Sequence, residues 1–232
     1  MTDTETTFES SDEASSQIYL EEELELAEQH LQALSNNGDS VDRARVLLDK
    51  ANALLGLKRN TETWEAARSA FDIFIKNEAW QDAVEACDLL YQTDEDHAIQ
   101  ALAHGVWLAI SYPIDPQQTL IMLNYIIEDT PSDSDGAAVA AVTAHYIISL
   151  RAKDDEQYHN LGFLSTNMIA KVAKRHSNIE SQELLEFWME KLELKDPTVF
   201  LPRMSSILDV IIGHKDNWWF NRDALREKLP VN

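Results

Sequence analysis

An all-α protein built from stacked helical hairpins is predicted for this chain on three observations. Apolar residues recur at three- and four-residue steps nearly everywhere from residue 17 onward, which is the period of a helix face and not of a strand. Turn and cap signals divide that pattern into hairpins beginning near residues 18, 61, 95, 137 and 180, spaced by roughly 34 to 43 residues, the range of helical-hairpin repeats. The 232 residues include only 6 Gly and 6 Pro, too few for an all-β fold with many tight turns, and 44% are hydrophobic, enough for a substantial core. A single hairpin cannot bury its own apolar face, so neighbours must stack, and an α-solenoid or a compact relative follows.

Residues 1–16 combine Ser, Thr, Asp and Glu with one large apolar residue, Phe8, and are expected to form a disordered acidic tail. The repeat domain is expected over 17–214. Its first helix carries Ile18, Leu20, Leu24, Ala27, Leu31 and Leu34 and is stopped by Ser35-Asn36-Asn37-Gly38. Asp39 or Ser40 caps the second, with Ala44, Leu47, Leu48, Ala51 and Leu54 as apolar positions. Thr61 or Thr63 opens a helix to residue 76, and a corner at Asn77-Glu78 leads to another over 79–92. Thr93-Asp94 is expected to cap a helix over 95–111 that ends ahead of Pro113. Asp115-Pro116 restarts the chain, with proline suited to a first helical turn, and 116–129 follows. Beyond the loop Pro131–Gly136, helices are predicted over about 137–152, 155–175, 180–194 and 197–212, with a short amphipathic piece at 222–229. Residues 215–232 then form an aromatic C-terminal cap.

One stretch resembles a named family. Between Thr63 and Cys87, Phe74 stands where a tetratricopeptide repeat has its first-helix aromatic, Trp80 where it has the aromatic after the turn, and Ala83 where it has a small residue. Phe71 replaces the usual glycine, Cys87 an aromatic, and Glu95 the closing proline. The next unit, 98–131, ends on Pro131 but puts Trp107 at the glycine position. The resemblance covers residues 63–131 and implies a scaffold that binds peptides or proteins in a concave surface.

The charge excludes several functions. With 19 Lys and Arg against 41 Asp and Glu, the net charge is −22, which disfavours a phosphate backbone or an anionic membrane as direct partner. Eleven of the acids lie in residues 1–40, where there is no Lys or Arg, whereas 195–232 holds six basic and five acidic residues. The single Cys87 and an N-terminus without basic or apolar leader regions predict a cytoplasmic protein, and no apolar run reaches the length of a membrane span.

Chemical constellations are sparse. Two acid-x-x-His pairs, Asp94/His97 and Glu156/His159, have the spacing that puts two metal ligands on one helix face, as in di-iron bundles. Cys87 reads as a packing residue, and His145 and His176 as core or surface structure. Six glycines leave no place for a phosphate-binding loop, a dinucleotide fingerprint or a nucleophile elbow. Lys171, Lys174 and Arg175 make the densest basic face, Glu21, Glu22 and Glu25 belong to an acidic one, and Trp218, Trp219 and Arg222 lie in the most distinctive peptide, Asp216–Arg222. Trp and Arg are enriched among residues that dominate interfaces. Three adjacent aromatics in a connector also suit a lid over the last hairpin.

The sequence therefore predicts a non-enzymatic, cofactor-free adaptor, scaffold or assembly factor. Those three groups of residues are its protein-binding surfaces, and the partner is a protein with a basic surface. Two alternatives stand beside it: a metalloenzyme on Asp94, His97, Glu156 and His159, and an acidic nucleic-acid mimic that occupies a DNA-binding protein.

Overall fold

The computed structural model describes residues 15–34 and 40–229. Among the described residues there are eleven α-helices, one 3₁₀ turn and no strand, so the expected all-α hairpin stack is observed. The acidic tail expected over 1–16 lies outside the described residues except for Ser15 and Ser16, as does the predicted Gly38 stop. No helix among the described residues is long and apolar enough to cross a membrane. The chain divides into two compact units, Met1–Ala101 and Leu102–Asn232.

The first unit holds α1 (Asp3–Ala33), α2 (Val41–Gly56), α3 (Asn60–Lys76) and α4 (Trp80–Gln92), each packed on the next. Its core is Leu54, Phe71, Phe74, Cys87 and Leu90, all fully buried, and each phenylalanine contributes roughly 3 kcal/mol by leaving water. Ala67, Ala70 and Ala83 are also fully buried, and these small side chains let the backbones of α3 and α4 approach. Gly56 on α2 makes room for a side chain of α1, since a Cβ there would stand 2.8 Å from Leu20 Cδ1. Arg45 forks onto Asp82 at 3.0 and 3.2 Å, tying α2 to α4. Burial pushes the Cys87 thiol far above its ordinary range, so it is a packing group and not a nucleophile.

The second unit contains most of α5 (Ala98–Ser111), then α6 (Pro116–Asp129), α7 (Asp135–Arg151), α8 (Asp155–Ser177), α9 (Gln182–Lys191), α10 (Pro197–Ile212) and α11 (Arg222–Glu227). Helix α7 is its centre. It packs against α6, α8 and α10, and an unbroken run from Ala137 to Ala144 is buried. Such a helix is apolar all round because it has neighbours all round.

Several starts agree with the sequence. Ser40 accepts from Arg43 N–H at 3.2 Å, and Asp115 accepts from Gln117 and Gln118 N–H with Pro116 in the first turn. Two differ. Helix α3 begins at Asn60 without a side-chain cap, and the Thr63 hydroxyl donates to Arg59 O instead. Thr93 does not open α5. Its hydroxyl donates to Leu90 O at 2.7 Å, closing α4, and accepts from Glu95 N–H at 3.4 Å, while Asp94 takes φ 55°, and residues 95–97 turn before α5 begins at Ala98.

The ends show how a glycine-poor chain stops helices. Lys58, Glu78 and Glu193 occupy the left-handed region, with φ of 59°, 55° and 55°, and the residue after each donates its N–H five residues back, to Leu54, Phe74 and Met189. This is the closure usually given to glycine, and a side chain there costs roughly 1–2 kcal/mol. Lys58→Gly, Glu78→Gly and Glu193→Gly are each expected to stabilise the protein by about 0.5–1 kcal/mol, because glycine removes the strain but gives part of it back in unfolded-chain entropy. Thermal melts check this, and an unchanged or lowered midpoint contradicts it.

Arginines from neighbouring helices supply further closures. Arg43 donates to Leu31 O at the end of α1, Arg151 to Ala109 O and Ile110 O at the end of α5, Arg175 to Ile127 O at the end of α6, and Arg203 to Leu192 O after α9. A helix C-terminus carries partial negative charge and unpaired carbonyls, so a guanidinium there satisfies both.

Candidate functional site

The expected aromatic anchor is largely turned inward. Trp219 stacks on the buried His104 ring with centroids 4.2 Å apart, and its backbone N–H donates to His104 Nε2 at 3.0 Å. Trp218 meets His104 and Trp107 edge-on, and Phe220, 8% exposed, lies 5.3 Å from the Trp107 ring. Arg222 lies 4.5 Å over Trp218 and bonds Asp209 of α10 at 2.5 Å. The peptide is thus a lid that closes on α5 through His104 and Trp107 and is tied to α10 of the last hairpin through Arg222–Asp209 and Asn217–Ile212 O. Trp218, Trp219 and Arg222 spend most of their binding capacity inside the second unit.

His145 and His176 are held in hydrogen bonds within the second unit. His145 Nδ1 lies 2.9 Å from Ser165 Oγ, whose hydroxyl donates to Gly162 O, and burial lowers the pKa of this imidazole. His176 joins four helices: Nε2 is 3.2 Å from Asp135 Oδ1, Nδ1 accepts the Trp188 indole N–H at 3.3 Å, and Arg203 reaches Asp135 Oδ2 at 3.3 Å.

The metal alternative finds no centre. Asp94 and His97 lie in the turn before α5, so that pair does not share a helix face. Glu156 and His159 do lie in the first turn of α8, both exposed. Among the described residues no group of three or more His, Cys, Asp or Glu is placed to hold a metal ion.

The basic face is the predicted site that gains surroundings. Lys171, Lys174 and Arg175 border a groove of about 890 Å³ in the second unit, formed by α6, α8 and the start of α9. Leu120 and Ile127 from α6, Leu164 and Met168 from α8, and Leu185 from α9 give it an apolar floor, and the acids Glu128 and Glu180 line it along with the three basic residues. Leu164 is 51% exposed. Lys174 pairs with Glu180 at 3.0 Å, and Arg175 keeps one N–H on Ile127 O, which holds its guanidinium at the rim. Lys171 is exposed and has no ion pair among the described residues.

The floor escaped the sequence reading, although a signal was there. Leu164, Met168, Lys171 and Arg175 stand at i, i+4, i+7 and i+11, one stripe that changes from apolar to basic along α8. A stripe buried only against its own fold would stay apolar. The acidic residues Glu21, Glu22 and Glu25 are exposed on α1, away from Leu24 and Ala27, which pack inward.

No protein-family model matches the chain, and no curated protein or solved structure matches it.

Proposed function

We propose that the protein is a non-enzymatic, cytoplasmic protein-binding module, an adaptor, scaffold or assembly factor, whose second unit docks a helical segment of its partner. The groove between α6 and α8 carries this reading: an open apolar floor beside a rim on which Lys171, Lys174 and Arg175 outnumber Glu128 and Glu180. Helix-in-groove recognition needs an apolar trough about two to three turns long. Leu120 to Ile127 on α6 and Leu164 to Lys171 on α8 each run about 10 Å at 1.5 Å per residue, close to two turns. The rim favours an acidic amphipathic helix, whose carboxylates would meet Lys171, Lys174 and Arg175 and whose apolar residues would cover Leu164 and Met168. The tetratricopeptide-like stretch 63–131 supports a binding scaffold in general terms, and the contacts of the half-buried Trp218 and Trp219 with His104 favour the groove over the C-terminal peptide as the dock.

The test is a photo-crosslinking residue in place of Met168, which lies in the groove floor. A discrete protein adduct is expected from this position and not from Val210, an isolated apolar residue that is 80% exposed on α10.

A further inference from the structure

We propose that the occupant of this groove is helix α1 of a second copy of the chain, so that the protein self-associates. This rests on reading the groove as a docking surface. Helix α1 packs on α2 through Leu24 and Ala27, and its opposite face carries Ile18, Glu22, Glu25, Leu26 and Gln29. Ile18 and Leu26, with Tyr19 beside them, remain 58%, 46% and 59% exposed and form an apolar strip on one helix. The nine residues from Ile18 to Leu26 span about 12 Å, close to the roughly 10 Å of the groove's apolar walls.

The charges match as well. Glu21 and Glu25 accept hydrogen bonds from the neutral Gln17 and Gln29, and among the described residues none of Glu21, Glu22 and Glu25 has an ion pair. Glu21 and Glu25 are one turn apart, as are Lys171 and Lys174 or Arg175 on the groove rim. A chain of net charge −22 repels its copies on average, so association requires a local basic surface of this kind. Donor face and acceptor groove are different surfaces, so two copies either exchange α1 reciprocally about a two-fold axis or join head to tail in a heterologous series.

Sedimentation velocity on the full chain, from low micromolar to the highest soluble concentration, tests this. The mass should rise above the 26.4 kDa of one chain. Lys171→Glu with Lys174→Glu leaves the Arg175 closure of α6 in place and should weaken association by about tenfold or more. Glu21→Lys with Glu25→Lys should do the same. A mixture of the two charge-reversed proteins should associate again, because each then offers the other a complementary pair of surfaces. Far-UV circular dichroism confirms that both variants are folded. A monomer at every concentration, association indifferent to either reversal, or a mixture that stays apart overturns the proposal. If self-association fails while position 168 still crosslinks a different protein, the α1 occupant is wrong and the groove remains a dock.

Discussion

Arg151→Ala is expected to destabilise the second unit by about 2–4 kcal/mol, since two charge-assisted hydrogen bonds of roughly 1.5–3 kcal/mol each are lost from a largely desolvated site. The guanidinium donates to Ala109 O at 2.5 Å and Ile110 O at 2.6 Å, closing the last turn of α5 from the last residue of α7. Burial lowers its pKa, so the charge is held there at a cost that the carbonyls and the negative end of the helix offset. Alanine removes the cation and also leaves two carbonyls without their donors. Arg151→Lys should recover only part of the loss, because an ammonium does not present the planar fork that spans adjacent carbonyls. Urea titrations read by tryptophan fluorescence measure this. A loss below about 0.5 kcal/mol for the alanine variant would place Arg151 among ordinary surface residues.

The second large effect is expected at Phe220. Its ring is 8% exposed and lies 5.3 to 5.6 Å from Trp107, His104 and Trp218, so Phe220→Ala removes the centre of the aromatic cluster. The expected cost is about 3–4 kcal/mol, in the range of buried phenylalanine truncations. Trp219→Ala should cost less, because Trp219 is half-buried and its backbone N–H still reaches His104 Nε2. The pair of variants distinguishes a lid from an anchor. A lid loses near-ultraviolet circular dichroism and thermal stability in both. An exposed anchor would leave the Trp219→Ala protein as stable as the parent and abolish only partner binding.

These two sites mark the limit of what the sequence makes legible. Helix existence is local: the three- and four-residue spacing and the caps Ser40 and Asp115-Pro116 are satisfied within a few residues, and they appear where the pattern puts them. Thr93 shows where local reading fails, since a hydroxyl between two helices can close the first as readily as open the second, and here it bonds Leu90 O. Helix ends were obscure for a related reason. With glycine scarce, Lys58, Glu78 and Glu193 take the left-handed position, and nothing in those side chains announces it.

Longer-range pairings are invisible to any periodic argument. Arg151 and Ala109 are 42 residues apart, and His104 and Trp219 are 115 apart, so only the folded chain reveals that an arginine ends a helix or that the aromatic peptide closes on α5. The groove lies between these extremes. Lys171, Lys174 and Arg175 are conspicuous as a basic face in an acidic protein, but their meaning depends on the apolar floor that α6 and α9 bring beside them. Charge marked the place, and packing of distant segments made it a trough.

That trough is the surface proposed to bind another polypeptide. Crosslinking from position 168, carried out in the full chain and repeated after Leu164→Asp, tests it most directly. Leu164 is 51% exposed, so aspartate there leaves the fold intact while placing an unpaired charge against any docked apolar side chain. The predicted result is a discrete protein adduct that is lost in the Leu164→Asp protein and never formed from position 210. An adduct of equal yield from positions 168 and 210, or one indifferent to Leu164→Asp, would contradict it.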